Sequence, residues 1–372
     1  MLIFHCADTH LGYRTFNKTV PLDEKDAGLN QREVDVYNAW DKLVQEAIKI
    51  KPDVFIHAGD FFDSVAPSSR AIVRARDGLY KLSEANIKSV ILAGNHETPR
   101  LTETGHVFNL LERIPHINIM YDGKPEKMAI GDLLITGVAH SPTLKEQVNK
   151  ATPDSNYKYN ILVTHGSVTG AGIGVFESNE LNQTTLPIEL FNKKWDYIAL
   201  GHYHKFTKLQ KNMCYCSSPE RLSISEAEHP KGYVLAELPG PKFKHKEIKA
   251  REYVILEYDV LTHEHDLLTD KLIELIKTSK PEGKIIKLKI KNLSKVEWAT
   301  VDNKALQRAA KQSVKLMLEP MSLSENNLST SAHMKMGLLT EEFLKFIQEN
   351  PIDGIDEKEK LFILERAQEL LI

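Results

Sequence analysis

Five short polar clusters carry the residue types that could do chemistry: Asp8-Thr9-His10, Gly59-Asp60-Phe61-Phe62-Asp63, Gly94-Asn95-His96-Glu97, Val163-Thr164-His165-Gly166 and Gly201-His202-Tyr203-His204. A lone Asp-x-His, or one His after an apolar run, is ordinarily a hydrogen-bonded structural residue. Five such clusters in this order, each closing a short apolar stretch, point to one shared site. Carboxylates, imidazoles and an amide oxygen without a thiolate are donors for hard or borderline divalent cations. Two cations ~3.5 to 4 Å apart need a carboxylate between them and further donors brought from several chain segments; Asp60 is the natural bridge. The neighbouring Gly59, Gly94, Gly166 and Gly201 let the backbone turn tightly and approach metal or phosphate.

The elements that must position these residues can be read from the apolar pattern. Leu2 to Cys6, Glu33 to Ile50, Val54 to His57, Ser68 to Ala85 and Ile87 to Leu92 alternate short apolar runs with longer amphipathic ones, a βαβαβ pattern. Ligand sites of such parallel sheets lie at the carboxyl ends of the strands, where the first three clusters fall. From Ile117 to about Ile248 the runs are shorter and strand-like: Leu133 to Val138, Ile161 to Thr164, Tyr197 to Leu200, Met213 to Ser217 and Gly232 to Leu238. A second sheet packed on the first gives an α/β, two-sheet sandwich flanked by helices. After Pro239-Gly240-Pro241 a new segment opens, with strands at Tyr253 to Tyr258 and Lys284 to Ile290 around a helix near His265 to Thr278. The expected division is 1–248 for the main domain, 251–318 for a small α/β accessory domain, 320–334 for a flexible linker (SLSENNLSTS at its heart) and 335–372 for a helical segment.

Bulk composition excludes several classes. A chain of 372 residues with 42% apolar content can bury more than one core. Net charge is −3 and pI about 6.6, so any nucleic-acid contact must come from a local patch. Cys6, Cys214 and Cys216 form no C-x-x-C pattern, which argues against structural zinc or a disulfide framework and for reduced thiols. The N-terminus lacks a basic region ahead of an apolar stretch, and no run reaches the ~18 apolar residues of a membrane span. No membrane association and a soluble, cytoplasmic protein are expected.

In this order the five clusters resemble, residue for residue, the motifs of the calcineurin-like metallophosphoesterase superfamily. The resemblance implies Asp8, His10, Asp60 and His204 around one cation, and Asp60, Asn95, His165 and His202 around the other. By the same resemblance His96 is the catalytic residue beside the scissile phosphate, stabilising the transition state or protonating the leaving oxygen; an imidazole suits that task because its unperturbed pKa of ~6.5 lies near working pH. Mixed nitrogen and oxygen ligation favours two Mn²⁺ per subunit, with Mg²⁺ or other divalent ions as substitutes and Zn²⁺ as a tight-binding competitor.

Within that superfamily, Asp8-Thr9-His10-Leu11-Gly12-Tyr13 is similar to the hallmark of the Mre-eleven/SbcD family of DNA double-strand-break repair nucleases. Ala58 to Ser64, Leu92 to Glu97 and Tyr215-Cys216-Ser217-Ser218-Pro219-Glu220-Arg221 are similar too, the last with Ser217 where Gly is usual. The resemblance covers residues 1 to 240 well and the rest by architecture. It implies a Mn²⁺-dependent nuclease, a 3′-to-5′ double-strand exonuclease and single-strand endonuclease, working on DNA ends with a Rad-fifty/SbcC-type ATPase. The alternatives are another two-metal phosphatase or phosphodiesterase, and a catalytically weak scaffold on DNA ends. Asp63 stands where many archaeal and eukaryotic members carry His and SbcD-like members carry Asp, so it receives no catalytic role. The loop from Phe16 to Asn30 is longer than the family leads one to expect and has no assigned role.

Tyr13 and Arg14 are expected at the mouth of the site as DNA-binding residues, Tyr as a stacking face and Arg as a forked phosphate donor. The glycine-bearing loop Val168 to Asn182 reads as a surface loop, His5 and His57 as core or supporting histidines, and His140 either way. Ile72, Val73, Leu79, Tyr80 and Leu82, with Val107, Phe108, Leu110 and Leu111, form two ridges; family members dimerise through equivalent helices, which places a homodimer contact on helices near 67–82 and 104–112. Amphipathic helices at about 340–349 and 357–371 are expected to dock on the ATPase.

Overall fold

Strands that are covered on both faces are mostly apolar, and the first three are, each with a single buried polar residue, His5, His57 and Ser89. A computed structural model describes residues 1–23, 25–99, 105–170, 184–240, 242–262 and 267–322. In it β1 (Leu2–Cys6), β2 (Val54–Ala58), β3 (Ser89–Leu92) and β4 (Ile117–Met120) run parallel and adjacent. The crossovers are α1 (Gln31–Ile50) and α2 (Ser69–Glu84). Asn30 starts α1 by accepting hydrogen bonds from Arg32 N and Glu33 N, and Ser68 caps α2 through Ala71 N, which satisfies donors no helical turn can reach. Trp40 of α1 is fully buried against Phe55 and Phe61. A Cβ on Gly78 of α2 would lie 2.2 Å from the Trp40 indole nitrogen, so only glycine lets the two helices pack this closely.

The second layer begins with β5 (Pro125–Ile130) and β6 (Leu133–Val138) and continues through α3 (Leu144–Lys150), β7 (Tyr159–His165), β8 (Ser167–Thr169), β9 (Thr185–Pro187), β10 (Tyr197–Gly201), β11 (Thr207–Gln210) and β12 (Met213–Tyr215). The chain then returns to the first sheet as the antiparallel pair β13 (Gly232–Glu237) and β14 (Lys242–Glu247). The two six-stranded sheets have the orders β14-β13-β1-β2-β3-β4 and β11-β12-β10-β7-β6-β5; β8 and β9 form a separate ribbon. Central strands β2 and β3 lie against β7 and β10, and one apolar core joins both sheets, including Ile56, Val90, Ile135, Val163 and Ala199. This is the helix-flanked sandwich expected from the sequence.

A third sheet of parallel strands, β15 (Tyr253–Asp259), β16 (Ile285–Lys291) and β17 (Lys315–Pro320), carries its own helices. These are α4 (Leu268–Thr278), α5 (Lys295–Thr300) and α6 (Asn303–Ala309), and the core between them includes Leu272, Ile276, Leu288, Ile290, Leu306 and Leu316. Buried charges tie this unit to the sandwich. Arg251 pairs with Asp35 and donates its backbone N–H to Glu220 at 2.9 Å, while Arg32, fully buried, pairs with Asp35 and Glu220 and lies 5.6 Å over the Tyr253 ring. Phe16 packs with Tyr253, Ile285, Val314 and Met317, and Asp26 meets Arg74 of α2 at 2.5 Å. The long loop after the first motif therefore connects α2 to the third sheet.

Two expectations change at the proposed dimer ridge. Residues 105–112 hold no helix of useful length but a single 3₁₀ turn, Val107–Leu110, within which Phe108 N donates to the His106 side chain. Val107, Phe108 and Leu111 turn into the core, as do Leu79 and Leu82 of α2, leaving Val73, Tyr80 and Leu110 exposed. The linker beyond Ser322, the helices of 335–372 and residues 171–183 of the glycine-bearing loop lie outside the described residues. Among the described residues no helix is long and apolar enough to cross a membrane.

Candidate metal centre

Parallel strands from both sheets end on one side of the sandwich, and there the sandwich gathers the five clusters. Asp8 and His10 follow β1, Asp60 follows β2, Asn95 and His96 follow β3, His165 ends β7, and His202 and His204 follow β10. The backbone is left-handed at Asp8 (φ 55°), His10 (φ 49°), Asp60 (φ 53°) and His202 (φ 102°). Such conformations cost on the order of 1–3 kcal/mol each and persist where the surroundings over-determine them. Glycine makes the approach possible: a Cβ at Gly94 would meet Asp60 Oδ1 at 2.2 Å, and one at Gly59 would meet His165 Nδ1 at 2.2 Å.

Asp60 lies at the centre. Its Oδ1 accepts a hydrogen bond from His96 N at 3.0 Å. Its Oδ2 lies 3.2 Å from His165 Nε2, 3.7 Å from His10 Nε2 and 4.0 Å from His96 Nε2. On one side His10 Nε2 is 3.2 Å from His204 Nε2; on the other, Asn95 Oδ1 is 3.1 Å from both His165 Nε2 and His202 Nδ1. Asp8 accepts from His202 N at 2.8 Å through Oδ1, and its buried Oδ2 has no hydrogen-bond partner. Candidate donors assemble in three overlapping groups: Asp8 with His10 and His204, His10 with Asp60 and His96, and Asp60 with His165 and His202.

The far nitrogen of several imidazoles is anchored by an acceptor. His165 Nδ1 donates to Ala58 O at 2.8 Å, His204 Nδ1 to Glu226 Oε1 at 3.2 Å, and His96 Nδ1 to Asp63 O at 3.0 Å. His10 Nδ1 faces Asp63 Oδ1 at 3.3 Å. The three hydrogen bonds on His165, His204 and His96 fix ring and tautomer, leaving the opposite nitrogen toward the centre, as metal-binding histidines require, whereas His10 Nδ1 stands at ion-pair distance without a hydrogen bond. The anchor on His204 is itself buried: Glu226 also pairs with Lys231, whose ammonium donates to His204 O and Ser218 Oγ, both at 2.8 Å. Glu97, fully buried, accepts from Phe61 N at 3.2 Å and Gly94 N at 2.8 Å and so clamps the second motif to the third.

The electrostatics show how much negative charge this cluster concentrates. Burial opposes charge on Asp60, but His165, His10 and His96 outweigh it and hold its carboxyl well below the usual range. Burial raises Asp8. Burial also disfavours a charged His165, yet Asp60 and Asp8 push its pKa up to about 9, while Glu97 is pushed up to about 8, by burial first and then by Asp60. Donor atoms 3.1–3.7 Å apart match the edges of a coordination polyhedron with bonds of about 2.1 Å, and the unpartnered Asp8 oxygen points to a missing positive charge. No cysteine joins the cluster. All three are buried, and burial raises each thiol, which leaves only nitrogen and oxygen donors.

A cavity of about 500 Å³ opens on this cluster, lined by His10, Tyr13, Asp63, His96, His202 and His204 together with Tyr203, Lys205, Leu222, Ser223, Ser225, Glu226 and His229. The family model for calcineurin-like phosphoesterases matches residues 1–206, a span that takes in all five clusters. Over 256 residues the chain is 32% identical to the DNA double-strand break repair protein Mre11 of Methanococcus maripaludis, covering 64% of each. Over 273 residues it is 32% identical to Mre11 of Methanocaldococcus jannaschii, covering 68% of each. This chain is a calcineurin-like phosphoesterase of the Mre11 family. A third Mre11 protein, from Saccharolobus solfataricus, is 30% identical over 235 residues, 61% of this chain and 56% of its own. The chain thus spans about two thirds of the length of the first two relatives.

Of the residues singled out by sequence, the Mre11-type fold brings Asp8, His10, Asp60, Asn95, His96, His165, His202 and His204 together. Tyr13 lines the cavity, but its hydroxyl is engaged, donating to Leu222 O at 2.5 Å. Arg14 turns away to Glu33 at 2.9 Å and does not line the cavity. His57 and His5 are core residues. His57 shares a 2.7 Å hydrogen bond with Thr9 and His5 a 2.9 Å one with Tyr197, and burial lowers both to about 3. The reading of the sequence missed Glu226, Lys231 and the wall from Leu222 to His229. Nothing in Ile224-Ser225-Glu226 or His229-Pro230-Lys231 distinguishes these residues from a surface loop.

Proposed function

We propose that this chain is a two-metal phosphodiesterase acting on DNA at double-strand breaks: a Mn²⁺-dependent 3′-to-5′ exonuclease and single-strand endonuclease working with a Rad-fifty/SbcC-type ATPase. One observation carries the reading. A carboxylate oxygen of Asp60 stands between two nitrogen-rich donor sets, with His96 beside it at the floor of an open cavity. Asp8, His10, Asp60 and His204 would hold one cation and Asp60, Asn95, His165 and His202 the other. When bound, such a pair supplies Lewis-acid activation of a phosphate and of a water.

The chain's own residues do the rest. Asp60 spans both sites, and its Oδ1, tied to His96 N, fixes the distance from the bridge to the imidazole. The proton on His96 Nδ1 is committed to Asp63 O, so Nε2 is the atom that delivers a proton to, or shares one with, a leaving oxygen. Asp63 thereby anchors His96 through its backbone carbonyl, while its carboxylate faces His10. The names of the Mre11 relatives support DNA at double-strand breaks as the substrate. The cavity, about 500 Å³ and open, suits one nucleotide displaced from a strand. In this reading residues 1–248 are the nuclease unit, 251–318 cap it, 320–334 link it to residues 335–372, and the last bind the ATPase. A homodimer forms through the outward Val73, Tyr80 and Leu110.

The test uses purified protein with Mn²⁺ and three substrates: labelled linear duplex, single-stranded circles and p-nitrophenyl phosphate. DNA hydrolysis that disappears in His96→Ala, with Mn²⁺ binding retained, is expected. Hydrolysis of the small ester alone would replace the reading with a phosphatase, and no hydrolysis at all with a scaffold.

A further inference from the structure

Arg221 closes the stretch Tyr215 to Arg221, which stands out in the sequence yet has no task in the chemistry of the metal centre. An arginine next to an active-site cavity is a natural phosphate donor, but the guanidinium of Arg221 is already committed. Its Nε donates to Glu226 O at 3.2 Å and Ala227 O at 3.1 Å, its Nη2 to His229 O at 3.2 Å and its Nη1 to Arg251 O at 3.0 Å. Arg221 does not line the cavity. Three of these carbonyls belong to the cavity wall from Leu222 to His229, and the fourth to the chain entering β15. The wall contains a single 3₁₀ turn, Ile224–Glu226, too short to satisfy its own last carbonyls. A planar fork reaches several of them at fixed angles, where an ammonium offers one point charge.

The same turn rests on the third sheet through apolar contacts. Ile224 and Ala227 pack with Tyr253 of β15, Ile285 of β16, Val314 and Met317 of β17. The Arg221 main chain is tied to the same seam: its N–H donates to Glu220 Oε1 at 2.9 Å, and that oxygen also accepts from Arg251 N at 2.9 Å. Glu226, between Ile224 and Ala227 in sequence, is 6% exposed and reaches the other way, its Oε1 accepting from His204 Nδ1 at 3.2 Å and its Oε2 pairing with Lys231. The turn therefore joins the third sheet to a candidate metal ligand. Lys231 holds only Oε2, so the carboxylate can pivot about that contact when the turn behind it moves. At 3.2 Å the bond to His204 has little room to lengthen; beyond about 3.5 Å it is lost.

We propose that Arg221 is a positioning residue for the metal centre: it holds the turn that carries Glu226 against the third sheet, and through Glu226 it sets the orientation of His204. The inference rests on the metal-centre reading above. It gives the third sheet a part in cation binding although no residue of that sheet lines the cavity.

The experiment uses the full chain with Arg221→Lys, with Glu226→Gln and with both, titrated calorimetrically with Mn²⁺. Arg221→Lys weakens binding at one of the two sites by about tenfold, the lower end of what losing an outer partner costs, and leaves the other site at the parent level. Added to Glu226→Gln, it changes the affinity by no more than about twofold, because both residues act along one path. Ile224→Ala, which loosens the turn from its apolar side, weakens the same site. Ile276→Val, in the core of the third unit away from the turn, lowers stability in urea and leaves Mn²⁺ affinity unchanged. In crystals of metal-free Arg221→Lys, Glu226 Oε1 stands beyond about 3.5 Å from His204 Nδ1. Parent-like Mn²⁺ affinity in Arg221→Lys overturns the proposal, as does full additivity of the Arg221→Lys and Glu226→Gln losses. An equal weakening in Ile276→Val also overturns it, reducing Arg221 to a contributor to general stability. If the parent binds no Mn²⁺, the metal-centre reading fails, and the metal-free crystals still decide the role of Arg221: an undisturbed bond between Glu226 and His204 overturns it.

Discussion

Replacing Glu226 with Gln removes one charge from a buried junction that joins a candidate metal ligand to a buried lysine. Glu226 is 6% exposed and Lys231 1%. Burial works against the carboxylate, yet His204 and Lys231 hold its pKa well below the ordinary range. Two separable losses follow. First, the Lys231 ammonium keeps its bonds to His204 O and Ser218 Oγ but loses its counter-charge; breaking a buried pair from one side costs about 3–5 kcal/mol. Second, the acceptor on His204 Nδ1 weakens from carboxylate to amide, and loss of such an outer partner costs about 10–100-fold in metal affinity. Urea unfolding in EDTA reads the first, and calorimetric titration with Mn²⁺ reads the second. In Glu226→Gln/Lys231→Met the unpaired charge is gone, so most of the stability returns while the weakened metal affinity stays. Equal stability of the single and double variants would refute the charge argument. Parent-like Mn²⁺ affinity in Glu226→Gln would refute the positioning of His204.

Other consequences are as specific. Gly94→Ala places a methyl 2.2 Å from Asp60 Oδ1 and 2.3 Å from Asp60 N and is expected to displace both carboxylate and backbone, lowering the stability of the metal-free protein in urea unfolding and abolishing Mn²⁺ binding; retained Mn²⁺ binding would contradict the close approach. Burial raises Glu33, but hydrogen bonds from Arg14, Tyr37 and Arg70 outweigh it and hold its pKa below the ordinary 4.5. A folded pKa below the unfolded one gives stability that is present above about pH 4.5 and lost as pH falls through the folded value. The unfolding free energies of the parent and Glu33→Gln should therefore converge on acidification, and a difference independent of pH would exclude the linkage. Deleting residues 335–372 should abolish co-purification with the ATPase while sparing Mn²⁺-dependent DNA hydrolysis; unchanged co-purification would remove that segment's assigned role.

The gathering of the candidate donors was legible because they sit at the ends of apolar runs, where a strand and a turn can both be read locally. The sandwich was legible for the same reason: β1 and β6 fall where their apolar runs begin and end. β14 was not, since Lys242-Phe243-Lys244-His245-Lys246-Glu247 alternates but has one face exposed and belongs to a sheet only through its pairing with β13. Helices α5 and α6 are too short for periodicity to show. Glu226 could not be found from sequence, because its partner His204 lies 22 residues away and the turn between them carries no signal of its own. The helix expected near 104–112 was misread for a related reason. Apolar spacing near 107–111 is equally well explained by a 3₁₀ turn folding into the core, which is what Val107, Phe108 and Leu111 do.

Anomalous diffraction at the manganese edge, from crystals grown with Mn²⁺, tests the proposed two-metal centre most directly. Two peaks are predicted about 3.5–4 Å apart, one beside Asp8, His10 and His204, the other beside Asn95, His165 and His202, with Asp60 Oδ2 between them. A single peak, or a pair that Asp60 does not bridge, would contradict the account.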